Sequence, residues 1–227
     1  TVLNNKNDVL PLHPDLKEAA ILNVGKPEEI EPFDRKMKKY TSFARFQLRK
    51  DLPEAEQQKL RDSLAAYRRV IVTVTEQRLA PYQSFFAKFA PESPVIYVFY
   101  TPAKSMLQIQ RAVSAAEAVV LAHASRDDVQ ERVADLLFGK ATADGRLSAS
   151  IGGLFPTGSG VTITPHTPFH FVPEEYGMKS EVLRRIDTIA LEGIKEGAYP
   201  GCQVLVMKDG KALYDRNLTT GISSLLD

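Results

Sequence analysis

Polar residues that could do chemistry follow an apolar run at residues 118–122. His123 comes directly after this run, with Arg126 and Asp127 a few positions further on. Imidazole, guanidinium and carboxylate groups can exchange hydrogen bonds, and in some cases protons, with a ligand. A purely structural role is also open, in which Ser125 or Asp127 caps the helix that follows. The sequence leaves both interpretations in place.

A histidine pair forms a second candidate, because His166 and His170 are four residues apart. On a helix this spacing would place both imidazoles on one face, where they could bind a metal ion. Pro165 and Pro168 rule out a regular helix there. We therefore expect no metal site. The single cysteine, Cys202, also excludes a cysteine cluster and an intrachain disulfide.

Nucleophilic serine chemistry would need a lysine three positions after the serine, so that the amine can activate the hydroxyl. No serine of this sequence has a lysine there, and Ser105, Ser180 and Ser224 are followed at that position by Gln, Leu and Asp. Thr101 and Lys104 have the required spacing, but the proline between them indicates a loop. We expect no catalytic residue among these groups.

The elements that must position these residues are strands that alternate with helices. Parallel strands end at one edge of a sheet, where α/β folds bind ligands, so Thr101 and His123 are expected at that edge. The alternation predicts the α/β class, as a three-layer sandwich with a mostly parallel sheet of five or six strands. The apolar runs that predict strands cover residues 19–24, 42–48, 69–75, 94–100 and 118–122.

The C-terminal part of the sequence predicts an appendage made of a helix and a β-hairpin. Residues 153–172, rich in Gly, Pro, Thr and Ser, predict a linker or wrapping loop between a domain at 1–152 and a piece at 173–227. Residues 179–196 predict a helix with one apolar stripe, and Asp209-Gly210 predicts a hairpin turn. Because the stripe must cover apolar surface, we expect the segment 179–214 to dock either on the α/β domain or on a second copy of the chain, which makes it a candidate for self-association.

Composition argues against several functions. The 29 basic and 28 acidic residues nearly cancel, which argues against a nucleic-acid-binding protein. The basic run Arg35, Lys36, Lys38 and Lys39 is interpreted as a solvated helix face. No Gly-x-Gly-x-x-Gly motif for a dinucleotide is present, and we expect no cofactor. No apolar run approaches the roughly 18 residues that cross a bilayer, and no signal-peptide pattern opens the sequence.

Two segments carry a resemblance to a known family. Residues 136–151, LLFGKATADGRLSASI, resemble the closing segment of the C-terminal α/β domain of family-3 glycoside hydrolases, and residues 1–12, TVLNNKNDVLPL, resemble its opening segment. The resemblance implies a parent enzyme that hydrolyses terminal β-linked N-acetylglucosamine or glucose. In that family the catalytic residues lie mainly in a preceding barrel domain, whose K-H-F-P-G motif does not occur here. Because the sequence also starts without methionine, we expect a fragment that is inactive by itself.

The resemblance has consequences for individual residues. In one branch of the family a glutamate of the α/β domain supplies the catalytic acid, but Glu76, Glu92 and Glu117 match no pattern of that branch. These three glutamates are interpreted as surface charge. The resemblance instead implies a substrate cleft lined in part by the loops after the first, fourth and fifth predicted strands. The candidate cleft residues are Thr101, His123, Arg126 and Asp127.

The final segment resembles a second family. Residues 173–215 resemble the opening of a serine β-lactamase-related domain, including its PG-x-x-V-x-V pattern at residues 200–206. The Ser-x-x-Lys pair of that family is missing, so we expect a truncated piece of the domain. Together the two resemblances imply a glycosidase fused to a serine hydrolase in the periplasm or outside the cell. Its partners would be the barrel domain and a carbohydrate substrate.

Two other functions stay open at this level. The first is a free-standing, non-catalytic binding or interaction module with the same fold. The second is an active hydrolase that uses Glu76 or Asp127 as its catalytic carboxylate. A barrel domain encoded upstream of Thr1 would separate the glycosidase interpretation from the free-standing module.

Overall fold

The chain folds into two compact units, Thr1–Phe169 and His170–Asp227. The computed structural model describes residues 1–13, 16, 18–90, 93–165, 173–208 and 211–219, apart from the side chains of residues 175 and 211. Several residues singled out above lie outside this described part: Glu92, His166, His170, Asp209, Gly210 and Ser224. None of the described helices combines the length and the apolar character that a membrane crossing requires.

The first unit is built on a six-stranded sheet with the spatial order β1-β6-β5-β4-β2-β3. Strands β2 to β6 pair in parallel, and β1 pairs antiparallel with β6 at one edge. The prediction of an α/β protein with a mostly parallel sheet of five or six strands is therefore confirmed. The strands are β1 (Val2–Asn5), β2 (Ala19–Val24), β3 (Ala44–Leu48), β4 (Arg69–Val74), β5 (Val95–Phe99) and β6 (Ala118–Leu121).

Helices cover both faces of this sheet and complete the three layers. Helices α1 and α5 pack on one face through Phe33, Met37 and Leu137, and α2, α3 and α4 pack on the other through residues such as Leu64 and Phe85. The α-helices are α1 (Glu31–Met37), α2 (Glu54–Ala65), α3 (Gln83–Lys88), α4 (Gln110–Ala115) and α5 (Asp127–Leu137). Short 3₁₀ helices cover Lys6–Asp8, Pro27–Ile30, Ala80–Tyr82 and Ala103–Ile109.

Strand composition follows from burial on both sides of the sheet. β4 is central and buried along its whole length, and its β-branched residues alternate between the two layers. Val72 faces the core under α2 and α3, whereas Ile71 faces the core under α1 and α5. A strand covered by helices on both sides has no solvent face, so it appears in the sequence as an unbroken apolar run. β3 lies at an edge of the sheet.

The two segments that carry the family-3 resemblance meet in space. The backbone N–H of Leu12 donates to the carbonyl of Leu137 at 2.6 Å. Gly139 ends α5 with a φ of 65°, and a Cβ at this position would lie only 2.9 Å from Pro11. Phe138 is fully buried and stacks on Tyr40 with 4.4 Å between ring centroids. The motif residues therefore hold the N-terminal segment on the end of α5, which is a structural role.

Two local features differ from what the sequence patterns predict. No apolar run predicts a strand before residue 19, yet Val2–Asn5 forms β1. The Gly145-Arg146-Leu147 sequence predicts a turn into a short strand, but residues 148–151 form no strand. Ile151 only forms an isolated bridge with Phe155, because the chain turns back within a few residues.

Part of the predicted linker packs on the first unit. Phe155 and Ile163 are buried, and Val161 bridges Val2 next to β1. The backbone N–H of Val161 donates to the carbonyl of Val2 at 2.7 Å. Of the two roles predicted for this segment, a linker or a wrapping loop, residues 153–165 have the second, because they pack on the sheet.

The second unit consists of α6 (Ser180–Lys195) packed on a hairpin of β7 (Gly201–Lys208) and β8 (Lys211–Thr219), after a 3₁₀ turn at Pro173–Tyr176. Leu183 and Tyr214 are buried between helix and hairpin. The Tyr214 hydroxyl donates to Asp187, and burial, followed by this hydrogen bond, raises the pKa of Tyr214 to about 12. Val182 and Ile189 of the predicted stripe remain 56% and 67% exposed. Self-association through this surface stays a prediction.

Candidate functional site

The carboxyl ends of β2 and β4 frame a crevice at the point where the strand order reverses. From β2 the chain moves outward to β3 and then crosses to the other side of β2 to form β4. The connections after β2 and β4 therefore leave the sheet toward opposite faces, which opens a gap at this edge. The crevice has a volume of about 330 Å³ and is lined by residues 25, 26, 29 and 75–78.

Gly25 allows the two chain segments that line the crevice, residues 25–29 and 75–78, to approach each other closely. Its φ of 143° belongs to a region that side chains rarely adopt, and a Cβ here would overlap Oγ1 of Thr75. The carbonyl of Val24 accepts hydrogen bonds from the backbone N–H groups of Thr75 and Glu76 at 3.0 and 3.1 Å. The close approach of the two chain segments therefore requires glycine at position 25.

A chain of polar side chains lies in the sheet directly below the crevice. The buried Thr73 hydroxyl on β4 donates to Asn23 Oδ1 on β2 at 3.1 Å. Asn23 Nδ2 donates to Gln47 Oε1 on β3 at 2.9 Å, and Gln47 Nε2 donates to the carbonyl of Gly25 at 2.7 Å. Buried polar groups cost free energy unless they are paired, and here each one has a partner. The network thus connects three strands and fixes the Gly25 loop.

Replacing Asn23 by leucine tests this network. The change keeps a similar volume but leaves the Thr73 hydroxyl and the Gln47 carbonyl without their partner. We expect the free energy of unfolding of the first unit to fall by about 2 kcal/mol. Amide hydrogen exchange of β2 and β4 measures the change. Unaltered protection would mean that the network contributes nothing to stability.

The charges around the crevice are balanced. Lys26 and Arg78 are exposed cations, and neither side chain is paired within the part of the chain that the structure describes. Glu29 accepts a hydrogen bond from the backbone N–H of Lys26 at 3.4 Å, and Glu76 accepts one from the backbone N–H of Arg78 at 3.0 Å. Each carboxylate therefore keeps one oxygen free for another partner.

Thr101, a candidate cleft residue, lies at the end of β5 but is turned inward. It is 1% exposed, and its hydroxyl forms a 2.6 Å hydrogen bond with the hydroxyl of Ser105, which is also buried. The pair joins the end of β5 to the 3₁₀ helix Ala103–Ile109. Lys104, whose spacing resembles that of a serine–lysine pair, belongs to this same short helix and not to a strand-end loop.

His123 lies at the carboxyl end of β6, at the edge where the sequence places it. Its Nε2 lies 3.3 Å from Oγ1 of Thr1, and its backbone adopts a φ of 66°. Partial desolvation of the imidazole lowers the pKa of His123 from its ordinary value. A histidine in the left-handed region is uncommon and is often found at functional sites.

Arg126 and Asp127 start α5, and the capping expectation for this helix was wrong. Arg126 is the N-cap residue, and no side chain caps the helix, so neither Ser125 nor Asp127 has that role. Gln130 Nε2 donates a hydrogen bond to the Ser125 carbonyl at 2.7 Å. Asp127 lies in the first turn of α5, where a carboxylate interacts favourably with the helix dipole. Arg126 forms a bidentate ion pair with the exposed carboxylate of Asp128.

The glutamates considered as catalytic acids are not brought together. Glu76 follows β4 at the carboxyl edge, where its Oε1 accepts the backbone N–H of Arg78. Glu117 precedes β6 at the opposite edge, and its Oε2 accepts a hydrogen bond from Asn7 Nδ2 at 3.0 Å. Glu76 and Glu117 are therefore separated by the length of a strand, roughly 15 Å. This distance exceeds the spacing of the paired carboxylates of glycosidases.

No described residues cluster as a metal site would require, since no group of three His, Cys, Asp or Glu side chains comes together in that part of the chain. The basic run of α1 lies against α5, where Arg35 pairs with Glu131 at 3.0 Å and Lys36 with Asp135 at 2.9 Å. Lys38 and Lys39 are exposed. Half of the run is therefore engaged in ion pairs between helices.

Neither a protein-family model nor a curated protein matches this sequence. Sequence reasoning missed Lys26, Glu29 and Arg78, because it predicts where strands end but not that the ends of β2 and β4 are neighbours. Pro27, which opens the following 3₁₀ helix, and Glu29 were the local signals for an ordered loop here.

Proposed function

We propose that the first unit is the C-terminal α/β domain of a family-3 glycoside hydrolase, and that it is an accessory domain with no catalytic residue of its own. In this proposal the parent enzyme hydrolyses terminal β-linked N-acetylglucosamine or glucose. The domain packs on the catalytic barrel of the parent and shapes the substrate cleft with its carboxyl-edge loops, including His123, Arg126 and Asp127.

The observation that carries the proposal is the meeting of the two resembling segments. Residues of the opening segment, Pro11 and Leu12, contact Gly139 and Leu137 of the closing segment. These segments lie more than a hundred residues apart in the sequence, and each resembles the corresponding end of the same domain. A chance similarity of two short segments would not require them to form one joint structure.

The distribution of carboxylates supports an accessory role. Glycoside hydrolysis uses two carboxyl groups about 5 to 10 Å apart on either side of the bond. Glu76 and Glu117 lie at opposite edges of the sheet, and Asp127 lies on a helix N-terminus whose neighbouring Asp128 is paired with Arg126. Among the described residues, Glu76, Glu117 and Asp127 therefore do not form an acid–nucleophile pair with one another.

The second unit fits the same parent as the first part of a serine β-lactamase-related domain. Its helix α6 leads into a hairpin whose strand β7 begins at the Pro200-Gly201 pattern. We propose that the parent acts in the periplasm or outside the cell, as the two resemblances imply. The partners proposed for this chain are the barrel domain and, through it, a carbohydrate, with no role for nucleic acid.

Enzyme assays on this chain test the accessory role. We expect no turnover of p-nitrophenyl N-acetyl-β-glucosaminide or β-glucoside above buffer, at a protein concentration where circular dichroism shows a cooperative melt. The physical reason is that Glu76 and Glu117, the described glutamates considered as catalytic acids, lie at opposite edges of the sheet and cannot act on one bond together. Turnover that persists through repurification and disappears in Glu76→Gln or Asp127→Asn would contradict the proposal and favour an active hydrolase.

The gene provides a second test, which separates the accessory domain from a free-standing module. We expect the reading frame upstream of Thr1 to encode a barrel domain with a K-H-F-P-G motif. A barrel produced from that frame should gain activity when it is expressed together with this chain. A start codon directly before Thr1, with no barrel encoded in the same frame, would contradict the proposal and favour a binding module.

A further inference from the structure

A second cavity lies at the amino edge of the sheet, at the opposite end of the strands from the crevice between β2 and β4. Its volume is about 230 Å³, and its walls come from α3, the loop before β5, the first residues of β5, and α4. Protein interiors are close-packed and contain few voids larger than a water molecule, which takes up roughly 30 Å³. The cavity is therefore large enough to hold a small organic molecule.

Aromatic rings and short side chains form the inner wall of this cavity. Phe86, Phe89 and Tyr97 are all buried, and the ring centroid of Phe86 lies 6.1 Å from that of Tyr97 and 6.4 Å from that of Phe89. Ala112 and Ala116, at the end of the sheet's α4 layer, line the same cavity, and their single methyl groups leave the space open. Aromatic walls pack favourably on another ring or on a branched aliphatic chain, so the ligand has an apolar body.

The hydroxyl of Tyr97 is a hydrogen-bond donor that the fold leaves unused. Tyr97 is 1% exposed, and within the part of the chain that the structure describes its hydroxyl has no hydrogen-bond partner. Burial raises the pKa of Tyr97 well above its ordinary value, so the hydroxyl keeps its proton and can donate it in a hydrogen bond. A buried hydroxyl without a partner costs free energy that a phenylalanine would avoid. An acceptor atom on a bound ligand would remove this cost.

The charges beside the cavity favour an anion. Arg111 of α4 lines the cavity and is exposed, and no described residue pairs with its guanidinium group. The other charged residue of the lining, Glu117, already accepts a hydrogen bond from Asn7 Nδ2 at 3.0 Å. A second cation lies close by, because Lys6 Nζ donates to the carbonyl of Ser114 in the last turn of α4 at 2.9 Å. Two cations thus stand against one carboxylate.

We infer that this cavity binds a small monocarboxylate whose body is a single apolar ring or a branched chain. The guanidinium group of Arg111 pairs with the carboxylate, the hydroxyl of Tyr97 donates to one of its oxygens, and the apolar body packs on Phe86 and Phe89. An apolar cavity of about 150 Å³ holds a benzene molecule, so about 230 Å³ has room for a ring with a short carboxylate arm. The site lies away from the carboxyl-edge loops and does not depend on the proposed function.

The test is a titration of the ¹⁵N-labelled full chain with sodium phenylacetate, followed by backbone amide chemical shifts. We expect saturable shifts at residues 86–90, 95–97 and 111–117. Arg111→Gln should weaken binding about tenfold, because it removes the charged partner of the carboxylate, and Tyr97→Phe about fivefold, because it removes one hydrogen bond and keeps the ring. Arg132→Gln, which removes an exposed cation of α5, is the matched control and should bind as the unchanged chain does.

Two further probes share the ring of phenylacetate and test the role of the carboxylate. We expect 2-phenylethanol, which has no charge, and benzylamine, which has the opposite charge, to bind at least tenfold more weakly. The absence of saturable shifts at the cavity amides with phenylacetate would overturn the site. Binding that both Arg111→Gln and Tyr97→Phe leave unchanged, or equal binding of 2-phenylethanol, would show that no carboxylate is recognised. Tighter binding of benzylamine would make Glu117 the recognising group and would also contradict the inference.

Discussion

Replacing Gly25 by alanine is expected to destabilise the first unit by roughly 3 kcal/mol. A Cβ at this position would overlap Oγ1 of Thr75 and lie 3.2 Å from the backbone nitrogen of Glu76. The backbone φ of 143° adds strain that no side-chain movement removes. Amide hydrogen exchange of β2 and β4 reports the free energy of local and global opening and measures the loss.

A control and a second variant make this result specific. Gly153→Ala adds the same methyl group where no atom lies within 4 Å, and its stability should change by no more than about 0.5 kcal/mol. Adding Thr75→Ala to Gly25→Ala removes the overlapping hydroxyl, so part of the lost stability should return. If the effects of Gly25→Ala and Thr75→Ala simply add, the overlap is not the cause of the destabilisation.

Truncation of Phe138 to alanine is expected to cost about 3 to 5 kcal/mol. Phe138 is fully buried after the end of α5, and its ring stacks on Tyr40 at an interplanar angle of 15°. The ring fills the core beneath α1 and α5, and its loss leaves a cavity that the neighbouring backbone cannot close. Urea unfolding followed by far-UV circular dichroism measures the effect.

The matched control is Phe46→Ala, which removes the same ring from the edge strand β3. Phe46 is only half-buried and packs edge to face on Tyr67. A loss well below that of Phe138→Ala is expected, because water replaces part of the ring's contacts. Equal losses for the two variants would show that the segment 136–151 has no special part in the core. Such a result would also weaken the structural explanation of the family-3 resemblance.

Some elements could be predicted because their signals are local. Residues 69–75 are apolar and β-branched, which indicates a buried strand whatever its neighbours are, and β4 occupies residues 69–74. Gly197 with a φ of 75° ends α6 as the sequence predicts. By contrast β1 escapes prediction, because Val2–Asn5 is short and half polar and becomes a strand only by pairing with β6.

Side-chain roles were less predictable than elements. Thr101 and His123 both follow parallel strands, as predicted, yet Thr101 is buried against Ser105 and His123 is exposed. The direction in which a strand-end residue points depends on the helix packed beside it. The prediction of a capping side chain for α5 was wrong as well. Gln130 donates to the nearby Ser125 carbonyl and to the carbonyl of Glu29, and the second contact joins distant parts of the chain.

The sequence by itself determined the α/β class and the positions of the buried parallel strands. Apolar runs and helical spacing are properties of neighbouring residues, and burial on both faces imposes them directly. Only the tertiary structure decided that β4 pairs with β2 and not with β3. That choice depends on which face each connecting helix covers, and it alone brings residues 25–29 and 75–78 together around one crevice.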